Sequence, residues 1–412
     1  MIIDKLKRMN ITPVQCFVLA GLLGNISFFI LLAIKGPILM EWIGMENDSN
    51  CVSLDYFRHV RFAQDLKTVY NNIGEACFPP LAYLIYHIIY RMTCYGPLDG
   101  NVFEFAKLPW QTIIYIMYLV FGILLLQDAI QYSSLSRHEK KLVLLTILLS
   151  TPMFMGALER GNMILYVIPL LLYAALWKDS ESKLKRECAL LFIAIAAGLK
   201  IYPAILGFLY VKEKRWKEVG RLLIYGILFF FVPFLFMNGL SSIQQLADIL
   251  LNMMDGDYTG RVQFFLGIIS FFGITGKTAK LLNYCFILFL IACIFLSDTY
   301  YEQLFFAATF MTLVPGSAFR YTILCFLLPL VILLGSTKRK PEFIDYVRAI
   351  MYTAIFSIPT FWGIVTKFRM NYGLYTYTYV ERYMYTFVWL LLIIESIHLL
   401  YKKVRIAKKV FV

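Results

Sequence analysis

The sequence predicts an all-α, polytopic transmembrane protein, and three observations carry that prediction. Hydrophobic residues make up 60% of the 412 positions and charged residues only 16%. Apolar runs of bilayer-spanning length recur from Val14 to Leu400. The runs are continuous, whereas a transmembrane barrel would show segments of about ten residues of alternating polarity. Helices are then the structure that satisfies every backbone group in lipid, and the soluble classes are excluded. The formal net charge of +13 does not point to nucleic acid, because the basic residues cluster in short loops between apolar runs, as the positive-inside bias requires.

Taken in order, the chain begins "MIIDKLKRMNITPVQCFVLAGLLGNISFFILLAIKG". This apolar run is too long for a signal-peptide core and no small-residue cleavage site follows it, so a retained first helix is expected at 14–34. Lys5, Lys7 and Arg8 put its start in the cytoplasm. A long outer loop at 35–108 follows. Within it, "CFPPLAYLIYHIIYRM" at 77–92 is apolar enough to tempt a crossing. A crossing there would send the basic "SRHEKK" at 136–141 outside, so a helix in or dipping into the outer face is expected, started by Pro79-Pro80. Spans are expected near 109–131, 142–158 and 162–177, the last two joined outside by "ERGN".

The basic loops "KDSESKLKRE" at 178–187 and "VKEKRWKEVGR" at 211–221 both read as cytoplasmic. The segment 188–210 between them is long enough for one crossing but not two. A hairpin of two short helices broken at Pro203 resolves this, with Lys200, Ile201 and Tyr202 at its tip. Irregular backbone at such depth is tolerated when buried in protein or lining a cavity. Further spans are expected near 220–238, 281–297, 302–315, 320–336, 346–365 and 383–400, with a second outer loop at 239–280. The count is about twelve membrane helices including both arms of the hairpin, with both termini cytoplasmic. No internal repeat is visible, which argues against the usual build of secondary transporters. Of the eight cysteines, Cys51, Cys77 and Cys94 share the first outer loop, and a disulfide among them is one option.

In this topology the polar residues converge on the outer face. Asp55 opens an amphipathic stretch whose Tyr56, Phe57, Val60, Ala63, Leu66 and Val69–Tyr70 are expected against the membrane. Glu159, Arg160 and Asn162 lie on the same side, as does Arg320. A carboxylate, arginines and a lysine at one end of a membrane cavity suit an anionic, lipid-linked substrate. Each residue also has a plain structural reading. Asp55 or Ser53 caps a helix; Glu159–Arg160 is a solvated turn; Lys200 snorkels to the cytoplasmic interface; Arg320 anchors an interface. The tyrosine-rich stretch at 372–386 is an aromatic belt. Asp65 competes with Asp55 as the functional carboxylate of the loop.

The ordered set "LDYF…VYNN…FPPL", then "RGN", then "LKIYP" with a basic loop behind it, then an aromatic-flanked arginine, resembles the GT-C superfamily of membrane glycosyltransferases. It is most similar to bacterial polyprenyl-phosphate-mannose-type transferases, and "RGN" and "KIYP" are also similar to the catalytic subunit of the first GPI mannosyltransferase. The resemblance covers roughly residues 10–240. It implies a conserved transmembrane module at 1–238 with juxtamembrane helices in the first outer loop, and a variable module at 239–412. It implies an inverting hexosyltransferase, mannose-like, in the bacterial plasma membrane with its active site on the outer face. The donor would be a polyprenyl-phosphate-linked sugar and the acceptor a lipid-linked or cell-envelope glycan.

The resemblance makes Asp55, with Asp65 as alternative, the general base. Arg320, Lys200 and Arg160 would hold the donor phosphate, and Glu159, Asn162, Tyr202 and His59 would contact sugar or acceptor. No cofactor is called for, and the lack of a D-x-D in the first outer loop leaves metal dependence open. Two other classes compete. A transporter or flippase would also keep intramembrane charge, but needs no long early loop with a carboxylate. An envelope-polysaccharide polymerase or ligase usually carries its large loop late in the chain.

Overall fold

The computed structural model describes residues 11–35, 54–71, 76–93, 109–150, 152–254, 264–315, 320–336, 341–356 and 378–410. Among these residues the regular structure is all α-helix and short 3-10 turns, with no strand. Four helical stretches are long and apolar enough to cross a bilayer: Pro109–Gln131, Trp216–Phe236, Gly276–Leu296 and Met384–Ala407. Arg137–Leu149 and Met153–Arg160, bent by 66° at the break between them, make a fifth if counted as one span. By this measure the described residues hold fewer full crossings than the twelve or so expected, and several expected spans are short helices or broken pairs. The chain is a helical integral membrane protein.

The first part of the chain builds α1 and the short helices that follow it. Helix α1 (Pro13–Lys35) starts on a proline, whose missing N–H costs nothing at that position. Thr12 and Gln15 cap it reciprocally, at 3.2 and 2.9 Å. Helix α2 (Leu54–Phe62) and the turn Val69–Asn71 follow, then α3 (Pro80–Thr93). At 14 residues, α3 is about 21 Å long, well short of a bilayer core, and it begins at the expected proline. The expectation that the apolar face of α2 lies against the membrane is corrected. Tyr56, Phe57, Val60, Ala63, Leu66, Val69 and Tyr70 are all buried inside the protein. The Tyr56 ring sits 4.9 Å from that of Tyr115 and 5.0 Å from that of Tyr118, so α2 is plugged into the bundle by aromatic packing. Cys77 carries a free thiol; Cys51 and Cys94 lie outside the described residues, as does the part of the tyrosine-rich stretch before Thr378.

Helices α4 (Pro109–Gln131), α5 (Arg137–Ser150), α6 (Pro152–Arg160) and α7 (Ile164–Trp177) come next. Helix α8 (Lys183–Leu199) leads into the turn Tyr202–Leu206, α9 (Gly207–Lys212) and α10 (Trp216–Phe230). Beyond them lie α11 (Leu240–Met254), α12 (Phe265–Phe271), α13 (Gly276–Leu296), α14 (Tyr300–Leu313), the turn Arg320–Phe326, α15 (Leu327–Gly335), α16 (Phe343–Phe356) and α17 (Thr378–Val410). The core sits on α14, α15 and Arg320–Phe326, where almost every side chain is buried. Helix α10 has no buried residue and exposes Leu223, Ile224 and Ile227. An exposed apolar face of that length marks contact with lipid rather than water.

The segment 183–212 is a hairpin. Both ends lie together: Lys178 Nζ contacts Glu213 at 2.5 Å and Arg215 contacts Asp179 at 2.7 Å. The two basic loops therefore share one end of the molecule. The break falls at Lys200 and Ile201, not at Pro203 as expected; Lys200 is extended, with φ −146° and ψ 126°. Pro203 instead sits in the first turn of Tyr202–Leu206, where proline is tolerated.

Gly198 explains how the hairpin closes onto its neighbours. A Cβ there would lie 2.8 Å from the Phe229 carbonyl oxygen of α10 and 2.9 Å from Leu81 Cδ2 of α3. Small residues permit such approach between membrane helices. Gly→Ala inside a helix ordinarily stabilises by about 0.5–1 kcal/mol. Here Gly198→Ala is expected to lower the melting temperature of the detergent-solubilised protein, because a backbone carbonyl cannot move aside. An unchanged or raised melting temperature would show that α8 and α10 are not this close.

Candidate functional site

The "RGN" turn between α6 and α7 is built around Asp55, more than a hundred residues earlier in the chain. Arg160, the last residue of α6, donates from Nε and from Nη2 to Asp55 Oδ1, each at 3.0 Å. Asn162 Nδ2 donates to Asp55 Oδ2 at 2.8 Å. Asn162 Oδ1 meanwhile accepts from the backbone N–H of Ile164 at 3.0 Å, satisfying an orphan donor at the start of α7. One amide thus caps the helix and holds the carboxylate. Arg160 and Asn162 are 6% and 3% exposed, which excludes a solvated turn.

Gly161 makes the geometry possible. Its φ is +62°, and a Cβ would sit 2.6 Å from Tyr115 Cε2 and 2.7 Å from Tyr56 Cβ. The Tyr115 hydroxyl donates to the carbonyl oxygens of Leu158 and Glu159, at 2.9 and 3.0 Å. That pins the final turn of α6, so Arg160 is presented at a set depth and angle. Asp65 has a different task. It is exposed, and its carboxylate accepts from Lys67 N at 3.0 Å and Thr68 Oγ1 at 3.1 Å. Asp65 therefore closes its own turn, while Asp55 is spent on Arg160 and Asn162.

Burial alone would raise the Asp55 carboxyl. The Arg160 charge and the Asn162 hydrogen bond outweigh it and hold Asp55 below the ordinary carboxylate range. Asp55 is thus ionised throughout the physiological range. A carboxylate offers about four lone-pair directions. Arg160 takes both on Oδ1 and Asn162 takes one on Oδ2, leaving a direction on Oδ2 for a hydroxyl.

Behind Asp55 an aromatic stack reaches to Lys200. The Lys200 ammonium lies 4.0 Å from the centre of the Phe78 ring, and the His59 ring is 4.1 Å away from that ring. His59 is 5% exposed, and its Nδ1 is 3.2 Å from the Tyr83 hydroxyl. Burial, aided by the nearby Lys200 charge and opposed by Asp55, drives its pKa down to about 3. It is therefore a neutral ring at pH 7, able to exchange hydrogen bonds but not to carry charge. Lys200 has Asp55, Cys77 and Cys325 as electrostatic neighbours. Among the described residues no carboxylate lies within ion-pair distance of its ammonium. It faces the ring stack within the bundle, not the end of the molecule where Lys178 and Arg215 pair with Asp179 and Glu213.

The remaining expected residues fall around this centre. Tyr202 has a buried hydroxyl with no partner among the described residues, and neighbours Cys325 and Tyr385. Glu159 meets the site through its backbone carbonyl. Arg320 heads the turn Arg320–Phe326, which packs on α6; Tyr321 touches the Gly156 position of that helix at 3.7 Å. The Arg320 side chain lies outside the described positions. Sequence reading missed Tyr115, Phe78 and Tyr83. All three sit in apolar runs where a ring reads as core, and only the three-dimensional neighbourhood separates them from packing residues.

Two outcomes follow. Gly161→Ala forces a left-handed backbone on alanine, which costs about 1–2 kcal/mol before any collision, so thermal stability is expected to fall with it. Retention of the wild-type melting temperature would contradict the turn. The second concerns pH. Between about 6.5 and about 3 the unfolded chain protonates His59 while the folded chain refuses the proton. The unfolded state binds more protons there, so stability rises with pH and falls on acidification. His59→Gln removes this term. Its melting temperature is expected to change less than that of the wild type between pH 6.5 and about pH 4; an equal slope would mean that His59 titrates freely.

Comparison with known proteins supports a chemistry for this site. The model of glycosyltransferase family 87 matches residues 78–337, well over half of the chain. The match includes Phe78, the "RGN" turn, Lys200 and Arg320, and begins after Asp55 and His59. No curated protein and no solved structure matches. A part-buried carboxylate held by an arginine and an asparagine, facing a lysine across a wall of rings, belongs in this chain to a membrane-embedded member of glycosyltransferase family 87.

Proposed function

We propose that the protein transfers a hexose, mannose-like, from a polyprenyl-phosphate donor to a hydroxyl of a lipid-linked or cell-envelope glycan, at the outer face of a bacterial plasma membrane. The observation that carries this reading is the pairing of an ionised carboxylate, Asp55, with a cation that lacks a carboxylate partner among the described residues, Lys200. A donor with a phosphate leaving group supplies the anion Lys200 lacks, and an acceptor hydroxyl fits the open direction on Asp55 Oδ2. Arg320 joins Lys200 at the phosphate in this reading. Arg160 spends two of its N–H groups on Asp55 and serves mainly to position it.

The reaction is a single displacement with inversion. The acceptor oxygen attacks the anomeric carbon, the bond to the donor phosphate oxygen breaks, and the polyprenyl phosphate leaves with both electrons of that bond. Lys200 stabilises the charge that grows on the phosphate. A carboxylate held as low as Asp55 is a weak base toward a free alcohol. It is adequate once bond formation to carbon has begun, because the attacking oxygen then becomes strongly acidic. The proton passes to Asp55 Oδ2 late in the step, and Arg160 keeps the carboxylate ionised until then. A transporter reading would need no such held carboxylate.

The test is Asp55→Asn, assayed with a radiolabelled polyprenyl-phosphate sugar and membranes containing the protein. General-base catalysis contributes about a hundred- to ten-thousand-fold, and transfer is expected to fall by that factor. Asp65→Asn is expected to keep most activity, since it alters only an exposed turn. Full activity of Asp55→Asn at matched expression, or a larger loss for Asp65→Asn, would remove Asp55 from the chemistry.

A further inference from the structure

A second concave site lies beside the first and plays no part in the displacement. Between the turn Val69–Asn71 and α11 there is a cleft of about 540 Å³, lined by Tyr70, Asn71, Gln245, Asp248, Ile249 and Asn252, with Leu251 at its edge. The volume is within the roughly 300–1,000 Å³ of small-molecule sites. Gln245, Asp248, Ile249 and Asn252 recur at i, i+3, i+4 and i+7, so one face of α11 supplies the wall. Asn71 supplies the opposite wall. The two walls are fastened together: Gln245 Nε2 donates to Asn71 Oδ1 at 2.8 Å, and Asn238 Nδ2 donates to the Lys67 carbonyl at 2.8 Å.

An amphipathic helix with its polar face in water would be the plain explanation of that stripe. Gln245 argues against it. Its Oε1 is buried with no hydrogen-bond partner. Exchanging the two ends of the amide would leave the nitrogen in that position instead, so one end of the group is desolvated and unpaired either way. Buried polar atoms are normally satisfied, and an unsatisfied one in a cleft wall is a group awaiting a ligand. Asp248, on the same face, is exposed and leaves its carboxylate open to the cleft.

The lining selects the ligand. One carboxylate falls far short of the six to eight oxygens a hard cation takes. An anion would meet Asp248 and no basic side chain. An apolar tail would cover the Asp248 carboxylate, the Asn252 amide and the free end of Gln245 without bonding any of them. Planar amides and a carboxylate over a ring and an aliphatic floor match a neutral sugar, whose hydroxyls both donate and accept and whose C–H faces are apolar. The cleft also connects to the reacting centre. The Tyr70 hydroxyl donates to the Phe78 carbonyl at 3.0 Å, and Phe78 is the ring between Lys200 and His59.

We propose that this cleft binds a sugar residue of the acceptor glycan, set back from the hydroxyl that attacks. The assignment to the acceptor rests on the transferase reading above; the assignment to a sugar does not. Purified full-length protein in detergent is mixed with methyl α-mannopyranoside, methyl β-glucopyranoside or methyl β-galactopyranoside, and binding is read by saturation-transfer NMR. At least one glycoside is expected to bind. Losing a satisfied hydrogen bond is worth about tenfold in affinity, so Gln245→Ala and Asp248→Asn are each expected to weaken binding by that order. No binding of any of the three glycosides to the wild type, or binding unchanged in both cleft variants, overturns the proposal. In membranes the same two variants are expected to raise the acceptor KM with little change in kcat. Cleft-dependent binding in a protein that performs no transfer would sink the transferase reading and leave the sugar cleft standing. Asp55-dependent transfer without cleft-dependent binding would do the reverse.

Discussion

The largely buried ion pair between Asp55 and Arg160 is the interaction on which the rest of the arrangement depends. Two charges taken out of water are stable together only when geometry and further hydrogen bonds repay their desolvation. Here the repayment is specific. Both Arg160 donors reach one oxygen, Asn162 reaches the other, and the same asparagine caps α7. Tyr115 fixes the end of α6, and Gly161 supplies a backbone turn that no side chain would fit. Because α2 is a short helix between α1 and α3, this pair also ties it to α6 and the helical bundle. Position and charge state of the carboxylate are set by one device.

The second constraint is the broken hairpin. A continuous helix through 188–210 would carry Lys200 past the site. Ending α8 at Leu199 and reversing over Tyr202–Leu206 leaves the lysine inside the bundle, with Phe78 over its ammonium and Asp55 within electrostatic reach. A lysine in such a setting keeps its charge at a cost, and an anionic ligand repays that cost. Helix α7, about 21 Å long by its 14 residues, separates the Asp55 end from the end where Lys178 and Glu213 pair. The polar chemistry is thereby held at one end of the bundle and the basic loops at the other.

Much of this was legible in the sequence, for physical reasons that differ from residue to residue. Charged and amide side chains beside apolar runs are rare enough that Arg160, Asn162 and Lys200 stand out by themselves. The spacing of two basic loops around a segment too short for two crossings exposed the hairpin. What was not legible was who pairs with whom. Nothing local distinguishes Asp55 from Asp65, ten residues apart in one loop; the difference is that one meets Arg160 and the other meets its own turn. The amphipathic face after Asp55 was read as facing lipid because an apolar face looks alike whether it meets lipid or protein rings. The break was placed at Pro203 because proline signals a stop, whereas here it starts the next turn. The cleft on α11 had no signal beyond a polar stripe, since its opposite wall is some 170 residues earlier.

The central claim is that Asp55 is held by Arg160 for chemistry and not only for folding. Neutralising both partners separates the two. Asp55→Asn alone leaves a buried arginine unpaired, which typically costs about 3–5 kcal/mol, so lost activity there has two causes. The double variant Asp55→Asn, Arg160→Gln removes both charges and keeps hydrogen-bonding groups in place. Its melting temperature and its transfer of labelled sugar from a polyprenyl-phosphate donor, measured on the same preparation, decide the matter. Recovery of stability relative to the single variant, with transfer still depressed by about a hundredfold or more, is the result this account predicts. Recovery of both stability and transfer would contradict it, and would make the ion pair a structural clasp.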